Sequence, residues 1–158
     1  MASQSRTQPS RAQLMLRLQT DVAETVADGV ALEHAMAGHL GLSSSDLRAV
    51  TALMRTGTAA AGDLAEASNL TTGAATRMID RLVATGWVVR RADERDRRRV
   101  LVSLRKERRS ELGELYAEMS ASWSQALADK SEDELASVLE LFERMREVSR
   151  RQTAVLRG

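Results

Sequence analysis

Residues that interrupt helices are scarce in this chain, and this scarcity limits the possible folds more than any other feature of the sequence. The 158 residues include one proline, Pro9, and nine glycines, and Ala, Leu, Arg and Glu are abundant. Because proline and glycine are the poorest helix formers, long stretches of this chain can be helical without a break. The sequence therefore predicts a mainly α fold around one core.

Apolar residues at helical spacing predict the first and last helices. Ser10 is a candidate N-cap for the first helix, and Ser131 with Glu134 forms a capping box before the last. The apolar stripes consist of Leu14, Leu18, Val22 and Val26, of Leu112, Tyr116, Met119, Trp123 and Ala126, and of Leu135, Val138, Phe142 and Met145. Stripes of this kind pack against other helices. An aromatic residue in a stripe is usually a core residue, and the alternative for Tyr116 and Trp123 is stacking on a planar ligand.

The middle of the chain contains a helix-turn-helix pattern. Ser43 and Asp46 form a capping-box-like start to a helix with apolar residues at core spacing. The following segment, DLAEASNLTTGAATRMIDRLVATG, is typical of two short helices joined by a turn at residues 68–70. In that turn Asn69 can adopt the left-handed conformation, and Thr71 caps the second helix.

After Gly86 the apolar period changes from 3.6 to 2, which indicates strands. Trp87, Val88 and Val89 lead into one strand, residues 100–104 form another, and ADERDRRR lies between them as a polar hairpin tip. The predicted fold class is mainly α with a small β-hairpin wing, a winged helix. The recognition helix is expected at about residues 71–85 and the wing at about residues 87–104.

The charges of the chain are unevenly distributed. Residues 71–109 hold 12 Lys and Arg against 5 Asp and Glu, although the net charge of the whole chain is +1. A basic segment in an otherwise acidic chain attracts a polyanion such as duplex DNA. The alternative is that these residues form an ordinary solvated charged face.

Several classes of protein are disfavoured by what the sequence lacks. It has no cysteine, no apolar run long enough to cross a membrane and no apolar secretory segment at its start, so we expect a cytoplasmic protein without a membrane association. It also lacks a metal-ligand cluster, a glycine-rich phosphate loop and a Ser/His/Asp set. We therefore expect no enzyme activity, no cofactor and no metal.

The candidate DNA contacts on the recognition helix are hydroxyl, small and cationic residues near its N-terminal end. They are Thr71, Thr72, Gly73, Thr76, Arg77 and Arg81. The hydroxyls can bind phosphate or bases, and Gly73 permits a close approach. Arg77 is the leading candidate to read a base, because a guanidinium can bind a guanine edge with two hydrogen bonds. For Arg81, contact with a phosphate and pairing with an aspartate remain equal alternatives.

The wing tip supplies a second group of candidates. Arg95, Arg97 and Arg98 can enter a narrow minor groove, where the negative potential is enhanced. Asp93 and Asp96 are expected to pair with neighbouring arginines and so to stabilise the wing. The alternative is that this segment is only a soluble turn.

The segment TTGAATRMIDRLVATGWVVRRADERDRRRVLVSL resembles the recognition helix and wing of MarR-family transcriptional regulators, whose wing carries an Asp-x-x-Asp-Arg-Arg core. Here that core is Asp93, Asp96, Arg97 and Arg98. The resemblance implies a homodimer whose first and last helices interlock, with two winged modules facing successive major grooves of a pseudo-palindrome. It also implies that Arg97 is the arginine that enters the minor groove.

The chain departs from this family pattern at two places. Glu94 stands where the family often has proline, and Arg105 and Arg108 stand where it often has Thr-x-x-Gly. The sequence and the resemblance together predict three regions: an N-terminal dimerisation helix at 1–42, a winged helix-turn-helix at 43–104 and C-terminal dimerisation helices at 105–158.

The functional prediction is a repressor that occupies a promoter and responds to a small-molecule effector. His34, Met36 and His39 are candidates for an effector pocket, and ordinary packing or surface roles are the alternative. An activator with the same DNA contacts, or a winged helix that binds proteins instead of DNA, are the competing functions.

Overall fold

The computed structural model describes residues 9–93 and 100–157, with six helices and three strands in those ranges. In chain order they are α1 (Arg11–His39), α2 (Ser44–Thr56), β1 (Thr58–Ala60), α3 (Ala61–Ala67), α4 (Thr72–Ala84), β2 (Val88–Ala92), β3 (Val100–Leu104), α5 (Lys106–Ala126) and α6 (Glu132–Arg157). The predicted class is confirmed, since the chain is mostly helical with one small antiparallel sheet.

The chain forms two compact units, Met1–Arg109 and Ser110–Gly158. Helix α1 belongs to the same unit as the winged helix-turn-helix, whereas the sequence-based division separated residues 1–42 from it. Helix α5 starts in the first unit and continues into the second.

Side-chain caps start the helices where the sequence predicts them. Ser10 caps α1 together with Gln13, and Ser43 caps α2 together with Asp46. Before α6 the backbone N–H of Ser131 donates to Glu134 Oε2 at 2.8 Å, and the backbone N–H of Glu134 donates to Ser131 Oγ at 3.2 Å. The hydrogen bond from the Ser131 backbone is the main reason that the pKa of the Glu134 carboxyl is lowered. These caps satisfy N–H groups that a helix leaves without internal partners.

The core of the first unit lies between α2, α3, α4 and the sheet. Its fully buried side chains include Val50, Leu53, Leu64, Met78, Ile79, Leu82, Val88 and Val102. Burial of each large aliphatic side chain stabilises the fold by about 1.5–3 kcal/mol, so this cluster fixes α4 against the rest of the unit.

The sheet has the strand order β1-β3-β2 and is antiparallel throughout. The hairpin predicted from the sequence is formed by β2 and β3, with Val88 opposite Leu104 and Ala92 opposite Val100. Strand β1 was not predicted. Its three residues pair with β3, Thr58 opposite Ser103 and Ala60 opposite Leu101, which joins the hairpin to the segment before α3.

Candidate nucleic-acid interface

Helix α4 is strongly amphipathic, and its outer face carries the predicted contacts. Ala75, Met78, Ile79 and Leu82 are buried at spacings of three and four. The opposite side is exposed and consists of Thr72, Gly73, Thr76, Arg77, Asp80 and Arg81. The helix-turn-helix therefore holds α4 by one face and leaves the other free to enter a groove.

The turn before α4 has the conformation that the sequence predicts. Asn69 has a φ of 55°, in the left-handed region, and Gly86 beyond the other end of α4 has a φ of 75°. Thr71 Oγ1 accepts from the backbone N–H of Ala74 at 3.4 Å, and Thr76 Oγ1 donates to the carbonyl of Thr72 at 3.0 Å. The hydroxyls of Thr71 and Thr76 are thus already engaged within the helix.

Arg77 has an exposed side chain with no ion pair or hydrogen bond to any part of the chain that the structure describes. A Cβ atom added to Gly73 would lie 4.0 Å from Nη1 of Arg77, so the guanidinium extends back along the helix towards its N-terminal end. An unpaired guanidinium can turn towards a base edge without breaking an existing contact. This arrangement suits the predicted role of Arg77.

Arg81 follows Arg77 by one turn and is paired. Its Nη2 donates to Oδ1 of Asp46 at 2.5 Å, and its Nε donates to Oδ2 at 3.3 Å. Asp46 belongs to α2 and is buried, while the Arg81 side chain is 51% exposed. The pair ties the recognition helix to the start of α2.

A second ion pair ties α4 to the wing. Asp80 Oδ1 lies 2.6 Å from Nη2 of Arg90 on β2. Both side chains are largely exposed, so we expect the pair to contribute little to stability and to act mainly by orienting the two groups. Asp80 and Arg81, which are consecutive on α4, thus form ion pairs with the hairpin and with α2 respectively.

Four of the wing-tip candidates lie outside the described residues: Arg95, Asp96, Arg97 and Arg98. Asp93 is described, lies just after β2 and is half-buried. It takes part in an interaction with another group, and its role in stabilising the wing stays a prediction.

Comparison with known proteins identifies this architecture. A family model described as "MarR family" matches residues 42–100, from just before α2 to the first residue of β3. YcgE of Bacillus subtilis (strain 168), named as an HTH-type transcriptional regulator, is 33% identical over 106 residues, which are 67% of this chain and 69% of the relative.

The chain belongs to the MarR family.

It is accordingly a transcriptional regulator, and MarR-family regulators bind DNA and act as dimers. Solved structures of similar fold include a MarR family transcriptional regulator from Silicibacter pomeroyi DSS, with a TM-score of 0.66 and 19% identity over 92% of this chain and 97% of that one. The YusO protein of Bacillus subtilis gives a TM-score of 0.64 and 22% identity over 88% of this chain and 99% of that one.

The structure of this MarR-family regulator brings forward two residues that sequence reasoning missed. Asp46 was read only as a helix cap, because its partner Arg81 lies 35 residues away and no local pattern connects them. The side chain of Arg91 on β2 is exposed and, within the described residues, has no ion pair or hydrogen bond. The sequence feature that could have singled out Arg91 is its position in the basic segment that follows Gly86.

The three effector-pocket candidates of the MarR-family chain do not share one face of α1. Met36 is buried, whereas His34 and His39 are exposed. The two histidines are five residues apart, which separates them by about 140° around a helix. His34 Nδ1 lies 2.8 Å from the carbonyl oxygen of Val30 in the preceding turn. An effector site at these residues stays a prediction.

The start of α5 is attached to the winged helix by two arginines. The Arg108 guanidinium lies over the ring of Trp87, and Arg109 donates to the carbonyls of Leu53 and Met54 at 3.3 Å each. These carbonyls belong to the last turn of α2, where a cation also interacts favourably with the helix dipole.

Within residues 9–93 and 100–157 the structure lacks both a metal-binding cluster and a membrane-spanning helix. No group of three or more His, Asp or Glu side chains there is arranged to hold a metal ion. None of the helices described has the length and apolar character needed to cross a membrane.

Proposed function

We propose that this MarR-family regulator is a repressor that binds a pseudo-palindromic operator as a homodimer. The observation that carries the proposal is the outer face of α4, on which Arg77 is exposed and unpaired within the described residues while the opposite face is fixed in the core. A rigid helix with a free guanidinium fits the requirements for reading bases in the major groove.

The proposed homodimer is supported by apolar side chains that neither unit buries. In the first unit, α1 exposes Leu14, Leu16, Val26 and Val30, and Leu16 is 67% exposed. In the second unit, no residue of α6 is buried as far as Leu156, although Phe142 and Leu139 lie on it. Helices with this many exposed apolar side chains are typical of protein interfaces.

We propose that repression works by occupancy and that an effector controls it. In a dimer the two α4 helices would enter major grooves about one helical turn apart, roughly 34–36 Å. A ligand that binds more tightly to a state with another spacing would release the DNA. The proposal places this activity in the cytoplasm, where the genome is accessible.

The test starts from the purified protein and sheared genomic DNA of its source. Fragments retained by the protein are sequenced, and their binding is measured over a range of salt concentrations. We expect enrichment of fragments with paired half-sites, protection of two adjacent major grooves and a steep loss of affinity with salt. Binding that ignores salt, or a monomer at micromolar concentration, would contradict the proposal.

The direction of regulation is tested separately. Deletion of the gene should raise the expression of genes that adjoin the retained fragments, because a repressor that covers a promoter blocks transcription. A fall in their expression would instead show activation through the same DNA contacts.

A further inference from the structure

The carboxylate of Asp46 is saturated with hydrogen bonds. It accepts from the Ser43 backbone N–H at 3.1 Å, from Ser43 Oγ at 2.6 Å, and from Arg81 Nε and Nη2 at 3.3 and 2.5 Å. Burial raises the pKa of the Asp46 carboxyl, but the hydrogen bonds from Arg81 and Ser43 and the charge of Arg81 outweigh it, and the pKa is lowered. Asp46 is therefore ionised at neutral pH and held in one orientation.

The ion pair with Asp46 uses only part of the hydrogen-bonding capacity of Arg81. A guanidinium has five N–H groups, and the two bonds to Asp46 leave three for other partners. The Arg81 side chain is 51% exposed, whereas that of Asp46 is 5% exposed. The cation thus presents N–H groups outside while its carboxylate partner is inaccessible.

The place of Arg81 on α4 makes a DNA phosphate a suitable ligand for those groups. Arg77 and Arg81 are four residues apart and so lie on the same side of the helix, the side opposite the buried residues. The planar fork of a guanidinium matches the oxygens of a phosphate, and its binding is stronger when its orientation is fixed beforehand.

We propose that Asp46 is a positioning residue for DNA binding, which fixes the Arg81 guanidinium so that its outer N–H groups bind a backbone phosphate. The inference rests on the proposed DNA-binding function. In this arrangement Arg81 binds Asp46 and a phosphate at the same time, so the two partners predicted from the sequence are not exclusive. Asp46 itself does not touch the DNA.

For the DNA affinity of Asp46→Asn, a positioning role and simple electrostatics predict changes of opposite sign. Asp46→Asn removes a negative charge from a surface that binds a polyanion, so charge alone predicts tighter binding. Loss of positioning predicts weaker binding. We expect a loss of roughly tenfold in affinity for each half-site, the effect of one charge-assisted hydrogen bond in each subunit.

The experiment uses the full-length protein and a duplex fragment that the wild-type protein retains from genomic DNA. Affinity is measured by fluorescence anisotropy between about 50 and 200 mM salt. We expect Arg81→Gln to reduce the slope of log affinity against log salt by about 1.8, because each of the two subunits loses one phosphate contact worth about 0.9. Asp46→Asn should add no further loss in the Arg81→Gln background, because it acts through Arg81. Arg48→Gln is the matched control, since Arg48 pairs with Glu33 at the surface.

The outcomes separate the two hypotheses. Absence of salt-dependent binding by the wild type would overturn the proposed function itself. Wild-type binding together with equal or tighter binding by Asp46→Asn, or an unchanged slope for Arg81→Gln, would overturn the role of Asp46. If Asp46→Asn is unfolded by circular dichroism, Arg81→Lys decides. It keeps the charge and loses the fork, so affinity equal to that of the wild type would overturn the inference, and a loss would support it.

Discussion

The guanidinium of Arg108 lies over the indole ring of Trp87, with its Cζ atom 4.7 Å from the ring centroid. Trp87 is 3% exposed and stands between α4 and β2. Its carbonyl also accepts from the backbone N–H of Arg105 at 3.0 Å. The start of α5 is therefore attached to the base of the wing through both side chain and backbone.

The cation-π contact predicts a measurable loss of stability in Arg108→Ala. We expect the free energy of unfolding to fall by about 0.5–2 kcal/mol, and Arg108→Lys to retain part of it. Since the chain has two tryptophans, a Trp123→Phe background makes Trp87 the only reporter in urea denaturation. Arg105→Ala, which removes an exposed side chain nearby, should stay within about 0.5 kcal/mol of its parent.

The ion pair between Asp46 and Arg81 makes stability depend on pH in the acid range. Because the pKa of Asp46 is lowered in the folded state, its contribution is complete above the unfolded value of about 3.9 and is lost as the pH falls through the folded value. At pH 7 we expect Asp46→Asn to be less stable by about 1–3 kcal/mol. In urea titrations the difference should shrink below pH 4, and a constant difference would contradict this explanation.

Arg77 and Arg97 should affect DNA binding in different ways. Arg77→Ala should cost about 1–3 kcal/mol per half-site on the preferred sequence and relax the choice of base at one position of each half-site. Arg97→Ala should weaken binding more evenly across sequences, since the minor groove is read through its shape. Selection from a randomised duplex pool measures both, and identical preferences for the two variants would refute the assignments.

Phe142 tests the proposed homodimer. It is 48% exposed in the single chain, so its burial between subunits would contribute roughly half of the 1.5–3 kcal/mol of a full burial for each of two copies. We expect Phe142→Asp to shift the dimer towards monomer in sedimentation experiments. Glu143→Gln changes the neighbouring exposed residue and should leave the assembly intact. A stable Phe142→Asp dimer would place the interface elsewhere.

Ser68 predicts a stabilising substitution. Its Oγ is buried in the turn between α3 and α4 and has no hydrogen-bond partner among the described residues. A buried hydroxyl without a partner costs about 1–3 kcal/mol, so Ser68→Ala should raise the free energy of unfolding by about 1 kcal/mol. Urea denaturation measures the change. A clear loss of stability would show that the hydroxyl is satisfied by bound water.

The helices of the first unit were predictable because their signals are local. Caps at Ser10, Ser43 and Thr71, the left-handed Asn69 and the terminating Gly86 each act within a few residues. The strands of the hairpin were also predictable from their alternation. Strand β1 was not, because three residues carry no usable period and are strands only through their pairing with β3.

The interface was predictable in its residue types and not in their partners. Nothing in the sequence connects Arg81 with Asp46 or Arg90 with Asp80, because these pairs depend on how the folded elements meet. Trp123 shows the same restriction. Its stripe predicts a packed aromatic, yet it is 61% exposed in the single chain, since periodicity identifies an apolar face without identifying what covers it.

Strand β3 lies between β1 and β2, so the strand that returns from the wing tip is anchored along both edges. Because the strands of the hairpin are fixed by this pairing, the loop that connects them can change in sequence without disturbing the sheet. If the wing contacts DNA as proposed, divergence among related regulators, or deliberate loop grafting, can therefore change that contact at little cost to folding.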